Sequence, residues 1–238
     1  GGAMKEPILF LPGLMQDARV FLPQMVTLGT GRGVQVFTGD ADTVEKLSEA
    51  ALAAAPPRCT VVGHGLGGNI ALDILRRAPE RLARLVLIAT DPLSEPPQIA
   101  AAREARMVAA RAGRLKQAIA EDVPEAALAD TPDRAALQLL LRDMAYGLGE
   151  GVYLRQSRAL QRRPDQQKTL RRAEVPTLFI AGALDTVVPL RRQEFARDLM
   201  PRSVLKVLPE AGHLPMLESP EAVSSAIEAF LGDPMILR

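Results

Sequence analysis

Few residues in this chain of 238 are equipped for nucleophilic or acid–base chemistry: histidine occurs twice, at His64 and His213, and cysteine once, at Cys59. His64 lies within "CTVVGHGLGGNIALDIL", where a β-branched apolar run breaks into Gly63-His64-Gly65-Leu66-Gly67-Gly68 and then passes into a helix-like stretch. That layout is a strand, a sharp turn and a helix, with residue 65 at the tip, where the pattern asks for a nucleophile. The residue found there is Gly65.

Two phosphate-binding readings of "GHGLGG" fail on what surrounds it. A Walker-type loop needs Gly-Lys-Ser/Thr, which is absent. A dinucleotide fingerprint needs an acidic residue ending the next strand; Asp91 meets that condition but leaves Asp185 and His213 unexplained. One cysteine supports neither a disulfide framework nor a thiol cluster, and two histidines make a zinc site improbable, so no metal and no cofactor is expected. The 29 basic and 28 acidic residues leave a net charge of +1, which argues against a nucleic-acid surface. Basic residues between Arg103 and Arg172 alternate with acids and read as a solvated helical face. No apolar run approaches the roughly 18 residues of a membrane span and no signal region opens the chain, so a soluble cytoplasmic protein is expected. Gly1-Gly2-Ala3-Met4 reads as the scar of a cleaved tag ahead of a native start at Met4.

The elements that must position these residues follow from periodicity. Four apolar runs bounded by turn residues, "PILFLPG", "CTVVGHG", "RLVLIATDP" and "PTLFIAGALD", with weaker ones at "VQVFTGD" and "SVLKVLPEAGH", are apolar on both faces and predict strands of a covered parallel sheet. Helical patterns at Val20–Leu28, Thr43–Ala54, Leu66–Arg77, Leu190–Leu199 and Pro220–Leu231 alternate with them, which predicts an α/β fold with a doubly wound, mostly parallel sheet. Between Thr90 and Thr177 no strand-like run occurs; helical spacing broken at Pro124, Pro132, Gly147–Gly151 and Pro164 predicts an inserted helical lid. The division is then 5–92 and 173–238 for the core and 93–172 for the lid. Ligands of such sheets sit outside the carboxyl ends of the strands. The residues placed there are Pro12–Asp17, Gly63–Gly68, Asp91, Asp185 and His213.

With those motifs in this order, "VVGHGLGGNIALDILRRAPERLARLVLIAT", "TLFIAGALDTVVP" and "VLPEAGHLPMLESPEAV" resemble the core of the α/β-hydrolase superfamily, and "LFLPGLMQDARVFLPQ" is similar to its small bacterial esterase-like members. The resemblance covers nearly the whole chain except the middle of the lid. It implies His213 as general base and acid, Asp185 as the carboxylate that orients it, and the N–H groups of Leu66 and Leu14 as an oxyanion hole. Asp91 competes for the acid role, and "AGALDTVVP" favours Asp185. His64 is read as holding the turn. Met15, Met107, Met144, Tyr146 and Tyr153 are candidates to line an acyl pocket, with Met15, Met144 and Tyr146 put forward, or else to fill the core.

The departure is at the nucleophile, where the family has serine and this chain has Gly65. Three readings stand: a deliberate replacement that traps substrate, a natural ligand-binding pseudoenzyme, or catalysis by His213 and the oxyanion hole with water. The expected activity is hydrolysis of a small apolar carboxylic ester, lactone or thioester by acyl transfer, in a form inactivated at position 65; the alternative is a non-catalytic binder of such ligands. Oligomeric state is left open.

Overall fold

The computed structural model describes residues 5–233; residues 1–4, for which the sequence suggested a tag scar, lie outside them. Six strands, β1 (Ile8–Leu11), β2 (Val34–Val36), β3 (Cys59–His64), β4 (Leu82–Ile88), β5 (Thr177–Gly182) and β6 (Ser203–Leu208), form one sheet in the order β2-β1-β3-β4-β5-β6. Every pairing in it is parallel.

The four central strands, β1, β3, β4 and β5, read as continuous apolar runs because both their faces are covered, whereas the edge strands β2 and β6, expected to be covered too, are only partly buried because each pairs on one side only. On one face Ile8, Phe10, Val62, Val86 and Ile180 pack against α1 (Leu22–Leu28) and a C-terminal helix, Pro220–Leu231, which supplies Val223, Ile227 and Phe230. On the other, Leu9, Leu11, Val61, Leu85 and Phe179 meet α2 (Val44–Ala54), α3 (Leu66–Arg77) and the helix Leu190–Leu199. The expected helix Val20–Leu28 starts instead as a 3-10 turn, Ala18–Phe21, because the Asp17 carboxylate accepts from Arg19 N–H and winds that turn tightly.

Between β4 and β5 the chain leaves the sheet for five helices: α4 (Pro97–Arg111), α5 (Leu115–Asp122), α6 (Arg134–Leu148), α7 (Glu150–Gln161) and α8 (Gln167–Arg172). Gly149, with φ 93°, joins α6 to α7. The two helices at Leu190–Leu199 and Pro220–Leu231 are α9 and α11, and the short α10 (Pro215–Glu218) lies between them. No helix among the described residues is long and apolar enough to cross a membrane.

The strand order reverses between β1 and β3: from β1 the chain steps to β2 on one side, then returns to β3 on the other. A crevice opens outside the carboxyl ends at such a reversal. Its walls are the loop after β1 and the turn into α3, which approach closely for lack of side chains. A Cβ on Gly67 would run into the Leu11 carbonyl, and one on Gly63 would come within 2.6 Å of the Gly67 carbonyl carbon. Gly65 differs: its backbone is strained for any L-residue, at φ 54° and ψ −118°, but a Cβ there would meet nothing nearer than the Gly13 Cα at 3.9 Å.

The two glycines should therefore respond differently. Gly67→Ala forces α3 off β1 and is expected to destabilise the fold by about 3 kcal/mol, whereas Gly65→Ala meets only backbone strain, about 1 kcal/mol. Urea denaturation midpoints of the two variants test the order, which equal losses would contradict.

Candidate active site

The turn after β3 is fixed by backbone bonds. Gly65 N–H donates to the Ile88 carbonyl at the end of β4 (3.0 Å), and the Gly65 carbonyl accepts from Gly68 and Asn69 N–H at 2.9 and 3.2 Å. Gly65 is thus the N-cap of α3, and Leu66 N–H, in the first turn, has no intrahelical acceptor. It stands at the positive end of the helix dipole.

Across the crevice, the loop after β1 turns with Gln16 N–H donating to the Gly13 carbonyl at 3.3 Å. Gly13 N–H donates to Gln16 Oε1 (2.8 Å) and Met15 N–H to Gln156 Oε1 (2.8 Å), so the amides on either side of Leu14 are occupied. Leu14 N–H is left without an acceptor among the described residues. Met15 is held at φ 54°, an uncommon conformation for a non-glycine residue, and the buried Gln156 secures it from α7 while donating to the Gly39 carbonyl at 2.7 Å.

His213 follows β6 and its Nδ1 lies 3.0 Å from Asp185 Oδ2. The other carboxylate oxygen of Asp185 accepts from Val187 and Val188 N–H at 2.8 and 3.0 Å, so the acid is aimed at the ring by its own turn. The backbone around His213 is clamped as well. Its N–H donates to the Ala127 carbonyl (2.9 Å), and the Glu218 carboxylate accepts from Gly212, Leu214 and Ala129 N–H. With Nδ1 donating to Asp185, Nε2 is the nitrogen left to exchange protons.

Burial disfavours the His213 cation, but the Asp185 carboxylate outweighs it and raises the imidazole above its ordinary value. His64 has no such partner: burial, reinforced by the His213 ring 4.8 Å away, pushes it down to about 3. It is neutral near pH 7. Its Nε2 donates to the His213 carbonyl at 2.7 Å and so ties the end of β3 to the loop that carries His213, while its Nδ1 faces Gln16 Oε1 at 3.1 Å.

One cavity of about 470 Å³ joins these groups, with Leu14, Met15, Gly65, Leu66 and His213 among its lining residues. Other expected residues lie elsewhere. Tyr146 is corrected: it sits on the outer side of α6, 57 % exposed, because its helical register turns it to solvent. Met144 is corrected too: it is fully buried in the core, where its sulfur accepts from Asp17 N–H. Met107 and Tyr153 are core residues, the Tyr153 hydroxyl donating to Asp122 at 2.7 Å. Asp91, the rival acid, accepts from Leu93 N–H and faces Arg163 and Arg192 rather than His213. Burial pushes the Cys59 thiol up to about 11, which disqualifies it as a nucleophile near pH 7. Gln156 and Glu218 were not singled out by sequence, since nothing local marks a polar side chain that reaches a backbone amide 141 or 89 residues away, as these do at Met15 and Ala129.

Titration by NMR should separate the two imidazoles. His213 is expected to titrate above about 6.5 and to fall below that value in Asp185→Asn, where only the Glu218 carboxylate is left to oppose burial; His64 should stay neutral from mildly acidic to alkaline pH. A His213 midpoint that ignores Asp185→Asn would contradict the coupling.

Comparison with known proteins bears on the family and the fold. A family model described as "Alpha/beta hydrolase family" matches residues 8–226. A pimeloyl-[acyl-carrier protein] methyl ester esterase from Aromatoleum aromaticum is 32% identical over 203 residues, covering 78% of this chain and 79% of the relative. Among solved structures, a thermophilic esterase from Thermogutta terrifontis with malate bound superposes with a TM-score of 0.82 at 26% identity, covering 96% of this chain and 90% of that one. An enol-lactonase from Burkholderia xenovorans shares the fold, with a TM-score of 0.84 at 19% identity and coverage of 97% and 93%. A sheet wound about a β1/β3 reversal, a glycine-flanked turn opening α3, and the three-way match to model, relative and structure lead to one assignment: the chain belongs to the alpha/beta hydrolase family, among relatives named as esterases.

Proposed function

We propose that this chain carries a serine-esterase site for small carboxylic esters, lactones or thioesters in which glycine occupies the nucleophile position. The observation that carries the reading is the Asp185–His213 pair, in contact at 3.0 Å and opening onto the same cavity as the Gly65 turn. Membership of the family and the esterases among its relatives support it.

With serine at position 65 the chemistry is acyl transfer. The hydroxyl oxygen bonds to the substrate carbonyl carbon while His213 Nε2 takes its proton, and the imidazolium is stabilised by Asp185. Leu14 and Leu66 N–H donate to the oxygen that becomes negative. Collapse of the tetrahedral adduct breaks the ester C–O bond, and the leaving alkoxide takes the proton from Nε2. Water then repeats the sequence, giving its proton to His213 as it attacks the acyl-enzyme, and the acid and free serine result. The α4–α8 insertion, which supplies much of the cavity lining, acts as the lid.

With Gly65 the covalent route is closed, while the space at the turn, where a Cβ would have no neighbour nearer than 3.9 Å, admits water. His213 can draw a proton from that water as it attacks the carbonyl directly. Triad enzymes stripped of their nucleophile retain about 10³–10⁴-fold acceleration over water from the oxyanion hole and binding.

Gly65→Ser is therefore expected to raise kcat/KM on short p-nitrophenyl esters by at least about 10³-fold. Adding His213→Ala should remove that gain, and His213→Ala on the Gly65 background should lower the residual rate to what the oxyanion hole and binding alone supply. A folded Gly65→Ser protein with no gain would favour the ligand-binding reading.

A further inference from the structure

The cavity that joins Gly65 to His213 is not uniformly apolar on its lid side. Lining it are the arginines Arg103, Arg106, Arg163 and Arg192, none with a side chain more than 27% exposed, and the carboxylates Asp91, Glu95 and Asp122. Four guanidinium groups thus face three carboxylates, one positive charge in excess. Exposed Glu121 and Arg191, which also line the cavity, offset one another.

The excess can be assigned by following the donors. Arg103 is fork-bound to Glu95, at 2.9 and 2.8 Å through Nε and Nη2. Arg163 divides its donors among Glu95 (3.0 Å), the Leu93 carbonyl (2.8 Å) and Asp91 (3.5 Å). Glu95, with a fully buried side chain, is saturated by these two. Asp122 is saturated too, by Arg106 Nε at 2.7 Å on one oxygen and the Tyr153 hydroxyl at 2.7 Å on the other. That single bond through Nε is the only one Arg106 makes among the described residues. Both of its Nη groups lack a protein acceptor, although the side chain is only 13% exposed. Arg192 approaches Asp91 no closer than 3.9 Å. A guanidinium so nearly buried, with its terminal fork unused, is matched in shape and charge by a carboxylate.

Resting on the esterase reading above, we propose that Arg106, with Arg192 as the nearest further cation, forms a carboxylate subsite in the acyl cavity. The substrate is then an ester or lactone carrying a free carboxylate at its far end, such as the half-ester of a dicarboxylic acid. The reactive carbonyl sits at the Gly65 turn and the anion on the Arg106 fork. Asp122 orients Arg106 through Nε, and Tyr153 holds Asp122 from beneath, so the fork is presented by a fixed chain of three side chains.

The test uses the chain with Gly65 in place. Isothermal titration near neutral pH compares monomethyl adipate with dimethyl adipate, which differ by one charge at the far end. The half-ester should bind at least about tenfold tighter, and Arg106→Gln should bring the two within about twofold. Arg106→Lys, which keeps the charge and loses the fork, should fall between, and thermal melts establish that each variant is folded. Equal affinities in the unsubstituted chain, or a half-ester preference that survives in Arg106→Gln, overturn the subsite. Kinetics on Gly65→Ser keep the two proposals apart. If that variant hydrolyses p-nitrophenyl esters but turns over diester and half-ester with equal kcat/KM, the carboxylate subsite falls and the esterase reading stands. If it gains no activity while the half-ester preference in binding depends on Arg106, the subsite stands and the esterase reading falls.

Discussion

The structure turns on the bare contact between the first turn of α3 and the carboxyl end of β1. No side chain separates Gly67 from the Leu11 carbonyl or Gly63 from Gly67, and the helix is seated directly on the sheet at the point where strand order reverses. Because α3 starts so close to β3, residue 65 must complete the change of direction alone, and its backbone is driven to φ 54°. The same seating brings Leu66 N–H and Leu14 N–H to opposite walls of one crevice. A looser junction would leave the cavity without its floor.

Around that junction the polar groups are held by buried contacts of unusual completeness. Glu218 accepts three backbone N–H groups, from two loops, and so fixes the segment that carries His213 to the loop between α5 and α6 of the helical insertion. Asp185 is aimed by its own turn, and His64, kept neutral by burial, donates to the His213 carbonyl. A charged His64 would repel the His213 cation from 4.8 Å, so its neutrality leaves Asp185 as the nearest electrostatic influence on the His213 ring.

What could be read from the sequence divides along physical lines. Strands buried on both faces leave unbroken apolar runs, and "PILFLPG" and "CTVVGHG" are as plain in one dimension as in three. Glycines needed for close approach and residues that follow strand ends are marked by local pattern, which is why Gly65, Asp185 and His213 stand out in the chain. Helical register in an amphipathic insertion is another matter. Met144 and Tyr146 are two positions apart on α6 and therefore about 200° apart around its axis, so the core takes one and solvent the other. No periodicity reveals which face of a lid looks at the cavity. Gln156 and the unused fork of Arg106 are likewise invisible, because their meaning lies in partners more than a dozen residues away or in the absence of one.

Gly65 looks different once its energetics are set beside those of its surroundings. Glycine at φ 54° is relieved of about 1–3 kcal/mol of strain that serine would bear, so folding alone gives no reason for a serine there. The remainder of the site runs the other way. Met15 is held at positive φ, Leu14 N–H has no acceptor, and Arg106 keeps both Nη groups unpaired in a nearly buried place. On the reading proposed above, an ester with a distant carboxylate gives acceptors to the last two at once. On that reading these donors, and not residue 65, are what the cavity offers a ligand, whether or not the bond to be broken in that ligand meets a hydroxyl.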